Sequence, residues 1–281
     1  MNLVKKIALI AVCAMLGFQF VSCNDDNDEL LNNNLNGGIL NSKVATSPCN
    51  SLNPYDSVGI LHNQHLTNVF DDLYSLYQDP NILEVDTINS YAREYLSSKY
   101  NEVFISDIVD TRIYRCNTDE ELLSTMVNLG FSNAAISVVN STVSTIENIT
   151  NNSYRDYYNA IYNIEKNVIS RTDLSQSEKE IILCFTSVYR HSIYYWYEGK
   201  DASSKAKVPK WLQVAAADGK GALAGAGTGA AAGAVVGGAP GAAAGAIAGG
   251  VVGAAAASIE KAAELDKIKK PENEKPNSGQ N

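Results

Sequence analysis

Three histidines are the only imidazoles in this 281-residue chain, and two of them, His62 and His65, stand three apart in a helical pattern. Both rings could then face one metal ion, with His191 as a distant third ligand. The zinc-protease spacing with its intervening glutamate is absent, and both residues border an apolar stripe. They read as packed or capping histidines, and no metal and no cofactor is expected. No Gly-x-Ser-x-Gly elbow or phosphate-binding loop occurs. Gly225-x-Gly227-x-Gly229 imitates a dinucleotide fingerprint, but no strand precedes it. Tyr194-Tyr195-Trp196-Tyr197, with Tyr154, Tyr157, Tyr158 and Tyr162, has the chemistry to stack on sugars or to sit at a membrane interface. Its helical spacing favours core packing instead. With no constellation for catalysis, the expectation is a non-enzymatic protein without catalytic residues.

The most specific signal lies near the C-terminus. Glycine stands at Gly221, Gly225, Gly229, Gly233, Gly237, Gly241, Gly245, Gly249 and Gly253, an unbroken spacing of four, with almost only small or apolar residues between. On a helix this spacing lays a groove along one face, so that two backbones approach closely without side-chain clash. In water each such glycine costs about 1 kcal/mol against alanine, so a membrane or a close-packed partner must offset it. Between Lys220 and Glu260 lie 39 residues with no charge, interrupted by Gly237-Gly238-Ala239-Pro240-Gly241, which breaks a helix. The expectation is a hairpin over 220–261 with arms 221–236 and 242–259, each about 24–27 Å long at 1.5 Å per residue and so close to a bilayer's hydrocarbon thickness.

The elements ahead of the repeat are helical. From Tyr55 to Tyr77, Val58, Leu61, Leu66, Val69, Phe70, Leu73 and Tyr77 recur at three- and four-residue spacing, with Asp56 or Asn53 as N-cap. Further helical periods cover Asp86 to Lys99, Phe104 to Tyr114, Asp119 to Leu129, Asn133 to Ile149, Tyr154 to Ile169 and Gln176 to Tyr197. The last opens on a capping box, Ser175-x-x-Glu178. No segment alternates as a half-buried strand does. The fold class is therefore all-α: a multi-helix bundle over 53–200 expected to fold independently, a linker over 201–219, the Gly/Ala-rich hairpin, and a charged tail over 262–281.

At the other end, Lys5-Lys6 precedes an apolar run from Ile7 to Val21, too short to span a bilayer comfortably and suited to a signal peptide over 1–22. Phe20-Val21-Ser22-Cys23 resembles the lipobox of bacterial lipoproteins, with phenylalanine in place of the usual leucine, which implies that Cys23 is the lipidated first residue of the mature chain. The acidic stretch Asn24 to Glu29 looks like the export signal of surface-exposed lipoproteins in one group of Gram-negative anaerobes. Residues 23–52, with eight asparagines from 24 to 50, read as a tether. Removal of the signal takes the net charge from −9 to −11, and the acidity excludes nucleic acid as a partner. Cys49, Cys116 and Cys184 then allow one disulfide and one free thiol, with the pair undetermined.

Residues 221–257 look like the glycine-zipper segments of outer-membrane lipoproteins and like the hydrophobic regions of pore-forming, bacteriocin-like peptides. Asn53-Pro54-Tyr55-Asp56 through His62-Asn63 resembles the start of uncharacterised lipoproteins from the same bacterial group. Asp56-Ser57-Val58 and Asp86-Thr87-Ile88 resemble that group's short O-glycosylation motif, and both double as helix starts. These resemblances imply an outer-membrane, cell-surface lipoprotein. Its partners would be membrane lipid through Cys23, a second copy through the glycine zipper, and an unidentified protein held by the helical domain. The alternative is an antagonism protein that inserts the hairpin into a target membrane.

Overall fold

The computed structural model describes residues 47–100, 102–116, 118–149, 153–197, 209–265 and 268. The signal segment, Cys23, the tether as far as Thr46, the segment 198–208 and most of the tail lie outside the described residues. Among those described, every regular element is helical. In order they are α1 (Asp56–Leu76), a 3-10 turn (Pro80–Ile82), α2 (Val85–Lys99), α3 (Glu102–Phe104) running into a π-helical turn (Ile105–Asp110), α4 (Asp119–Asn128), α5 (Asn133–Glu147), α6 (Tyr154–Ser170), α7 (Gln176–Trp196) and α8 (Lys210–Glu264).

Local chemistry sets most of the boundaries. Ser175 Oγ accepts from the Glu178 amide at 3.2 Å, and Glu178 Oε2 accepts from the Ser175 amide at 2.8 Å. The other carboxylate oxygen takes the Ser132 amide at 2.7 Å, tying the start of α5 to the start of α7. Thr118 and Glu121 form a second capping box on α4, which the sequence reading missed. At α1 the expected caps are corrected. Tyr55 is the N-cap, Asn53 Oδ1 accepts from the Tyr55 amide at 2.8 Å, and Asp56 turns inward. The helix expected from Phe104 to Tyr114 stops at Asp110, because Arg112 takes a left-handed conformation with φ of 55°.

Helix α7 is the centre of the molecule, with every residue from Ile181 to Ile193 buried. A helix enclosed on all faces needs cover from several directions, and α1, α6 and α8 supply it. Helix α8 folds back on itself at Gly238, whose φ of 61° and ψ of −146° only glycine adopts readily, giving two antiparallel arms. Pro240 falls in the first turn of the second arm, where its missing N–H costs no hydrogen bond.

The expected hairpin is thus present but longer than 220–261. Trp211, Leu212, Val214 and Ala215 face the core, so residues 210–219 of the expected linker are helical, and Ala262 and Ala263 are buried at the other end. The division into a bundle over 53–200 and a separate hairpin is corrected too. Leu223, Ala226, Ala246, Val251 and Ala254 lie in one hydrophobic cluster with Val58, Leu66, Phe70, Phe185 and Trp196. Alanine-rich arms present small side chains that let the surrounding helices approach, so the hairpin fills the bundle. The tether also ends sooner than residue 52, since Asn50 is buried against α6.

Candidate functional site: the hairpin and its polar cradle

Each arm meets the other through its repeat glycines in four rungs: Gly221 with Gly253, Gly225 with Gly249, Gly229 with Gly245, and Gly233 with Gly241. A Cβ on Gly225 would lie 2.9 Å from the Gly249 carbonyl carbon and nearer still to its oxygen; one on Gly229 would meet Gly245 in the same way at 2.8 Å. The spacing of four therefore has a steric cause, since every turn puts backbone against backbone. Gly237, the ninth repeat glycine, has nothing within 4 Å of the Cβ position and belongs to the turn.

Glycines off the repeat, to which the sequence gives no packing role, face the body instead. A Cβ on Gly219 would come within 3.1 Å of the Phe185 and Tyr189 rings, one on Gly227 within 2.7 Å of Leu129, and one on Gly250 within 3.4 Å of Val58. Their signal in the sequence is that they break register with the repeat.

The hairpin is sheathed for most of its length and bare at its end. Ala222, Leu223, Ala224, Val251, Val252 and Ala254 are fully buried. Around the turn, Ala231, Ala234, Gly237, Gly238, Ala239 and Pro240 are exposed, and Val235 is 77% exposed. Charged collars mark the base. Lys220 Nζ stands 3.2 Å from Asp119, Glu260 pairs with Arg115, and Tyr114 Oη donates to Glu260 Oε2 at 2.8 Å.

Beneath the base, α1, α6 and α7 enclose a charged network. Arg190, fully buried, donates to Asp56 and, from Nε at 3.2 Å, to Glu165. Asn50 Nδ2 and Asn53 Nδ2 donate to Glu165 at 2.6 and 2.7 Å, and Asn53 also reaches the Leu183 carbonyl at 3.0 Å. Burial works against the Arg190 charge, but Glu165 and Asp56 outweigh it and keep the guanidinium protonated. Burial likewise pushes the Asp56 carboxyl up; the hydrogen bond from His191 and the nearby Arg190 overcome this and hold it below its ordinary range. Every charge here is paired with an opposite one, as burial requires, though Arg190 Nη1 makes no hydrogen bond.

Asp218, on the first arm, is the second buried centre. Ser192 Oγ and Trp196 Nε1 donate to its Oδ2, and burial raises the carboxyl to about 7. His62 Nε2 lies 3.6 Å away. Asn63 Nδ2 donates to the His191 carbonyl at 3.0 Å, which leaves its Oδ1 facing His62 Nδ1 at 3.0 Å. The proton of His62 therefore sits on Nδ1, and burial lowers the ring to about 3. Ser192, Asp218 and His62 do not form a nucleophilic set: the hydroxyl donates to the carboxylate, not to the imidazole, and all three side chains are sealed from solvent.

The three histidines accordingly go separate ways. His62 faces Asp218, His65 lies between Tyr95 Oη at 3.0 Å and Tyr100 Oη at 2.7 Å, and His191 Nε2 meets Asp56 at 3.0 Å. Among the described residues no group of three or more His, Cys, Asp or Glu is placed to hold a metal. Tyr154, Tyr157 and Trp196 are core residues, while Tyr194 is 44% exposed. The disulfide expected among Cys49, Cys116 and Cys184 is corrected as well. Cys116 and Cys184 are free thiols buried in the core, so neither takes part in a disulfide. Cys23 lies outside the described residues. Compared with protein families, curated proteins and solved structures, the chain matches none.

Proposed function

We propose that this chain is a non-enzymatic envelope lipoprotein, anchored to the outer membrane through Cys23, whose helical body holds out the tip of a glycine-zipper hairpin to associate with a lipid surface. The observation that carries the reading is the contrast along one uncharged hairpin, enclosed from its base to its middle and bare around the turn, where Val235 is 77% exposed. Residues 231–244 form this end. Seven residues per arm at 1.5 Å each reach about 10 Å, against about 30 Å for a bilayer core. In this fold the tip enters the interfacial layer of one leaflet and does not cross.

That reach weighs against the bacteriocin-like alternative, in which the whole hairpin inserts. Insertion would break the Lys220–Asp119 and Glu260–Arg115 collars and strip cover from α7. It also bears on self-association. The rung glycines are occupied within one chain, so a second copy in this fold would meet the outer faces of the tip and not the zipper groove.

Flotation of the full chain with neutral phosphatidylcholine vesicles tests the reading, with Cys23→Ala as background so that acyl chains do not dominate. Val235→Asp with Val236→Asp removes apolar area worth about 1.5–3 kcal/mol per side chain and places two charges in the interface. At least a tenfold loss of vesicle binding is expected, with the melting temperature unchanged because neither valine belongs to the buried core. Equal flotation of the two forms would remove the tip from the membrane.

A further inference from the structure

A polar cleft of about 320 Å³ opens between α2 and the π-helical turn on the flank of the molecule, with the buried side chains of Leu96 and Ala256 in its lining. Its two walls are locked together. Arg93 donates from Nε and Nη2 to the two oxygens of Asp110 at 2.6 and 2.9 Å, and from Nη2 to Glu102 at 3.2 Å. A forked guanidinium–carboxylate pair of this kind fixes orientation as well as distance, so the cleft is formed before any ligand arrives.

With Arg93 and Asp110 satisfying each other, two charged residues of the lining, Asp86 and Arg112, keep no side-chain partner among the described residues. Asn89, also in the lining, has a side-chain amide nitrogen shielded from solvent and without an acceptor. Arg112 is the one described non-glycine residue with positive φ, at 55°. That region is disfavoured for any residue bearing a Cβ, and an arginine has none of the local bonding that lets asparagine or aspartate visit it. Backbone strain of this sort persists only where the surrounding structure over-determines it, and it clusters at binding sites. Here it follows directly on a π-helical turn, itself an interruption of regular helix that recurs at binding sites.

We propose that this cleft binds a small zwitterion of amino-acid to dipeptide size, its carboxylate on Arg112 and its ammonium on Asp86. The unpaired charges are one of each sign, so a simple anion would meet Asp86 and a simple cation would meet Arg112. Guanidinium is the side chain best matched to a planar carboxylate. The volume is at the lower edge of those that enclose small ligands, which excludes long oligomers.

Isothermal titration of the full-length chain in detergent with L-alanyl-L-alanine tests this, alongside its N-acetylated form, which keeps only the carboxylate, and its C-terminal amide, which keeps only the ammonium. The dipeptide is expected to bind at least tenfold more tightly than either blocked form, and Arg112→Gln and Asp86→Asn are each expected to weaken it at least tenfold. Arg112→Gly separates a binding role from a structural one. Relief of the positive φ should raise the melting temperature while dipeptide binding is lost. Absence of dipeptide binding, equal binding of the three forms, or full binding by Arg112→Gly would overturn the proposal.

Discussion

Replacing Gly229 by alanine is the sharpest perturbation the hairpin offers. The new methyl would lie 2.8 Å from the Gly245 carbonyl carbon and closer to its oxygen, whereas carbon–oxygen contacts settle near 3.3 Å or beyond. The arms must separate by about 1 Å at that rung, and overpacking of this size costs about 1–3 kcal/mol or more. A gap of 1 Å also forfeits between a quarter and half of the attraction between facing atoms, and the rungs one turn away at Gly225–Gly249 and Gly233–Gly241 share the opening. Against this, alanine gains about 1 kcal/mol of helix propensity over glycine. The net expectation is a loss of about 2 kcal/mol. Gly237→Ala gains the propensity and meets nothing within 4 Å, so it should be neutral or stabilising by up to about 1 kcal/mol. Urea denaturation of the full chain measures both. Gly229→Ala combined with Gly245→Ala should cost clearly less than the sum of the singles, because the first methyl has already parted the arms. A Gly229→Ala chain as stable as the parent, or strict additivity within the rung, would refute the backbone-contact account of the repeat.

Acid should destabilise the fold. Burial lowers His62 to about 3 and His65 to about 4, and lowers His191 as well. A neutral buried imidazole contributes stability that is complete above its unfolded value near 6.5 and is lost as pH falls below it. Asp218, raised to about 7, acts in the opposite sense and offsets about one proton's worth of this. His62 and His65 still leave roughly 1–2 kcal/mol lost between pH 6.5 and 5, with His191 adding in the same direction; identical urea midpoints at the two pH values would contradict this. Arg190→Met strands the buried Asp56 and Glu165 carboxylates and should cost about 3–5 kcal/mol, read from the thermal midpoint. Cys23→Ala should abolish acyl labelling, and labelling that persists would rule out Cys23 as the acceptor.

The helices were legible because their apolar residues repeat at 3.6 and their starts carry side-chain caps, as at Ser175 and Ser132. The turn at Gly238 was legible for the same local reason. What the sequence concealed was non-local. A sheathed alanine helix and a lipid-facing one share a composition, so nothing in residues 221–257 tells that Val58 and Phe185 cover them. The network of Asp56, Glu165 and Arg190 joins residues more than a hundred positions apart. Its one local clue was the pair Arg190 and His191, set in the otherwise uncharged run from Ile181 to Ile193. The cleft at Arg112 depends on a backbone angle that no residue type announces.

The placement of the hairpin inside the bundle governs the order of folding. A chain leaving the ribosome or a translocation channel amino end first exposes α1 to α7 well before residues 210–264 arrive, and α7 is then a helix with apolar surface on every side and one side uncovered. Hydrogen bonds such as Asn53 to Leu183 close loops of 130 residues, and contacts of such separation form late. The hairpin, which follows in the chain the helices it covers, is therefore their keystone. Until it is delivered α7 lacks one wall of its cover, and a chain cut short before Gly238 has no turn with which to complete its own interior.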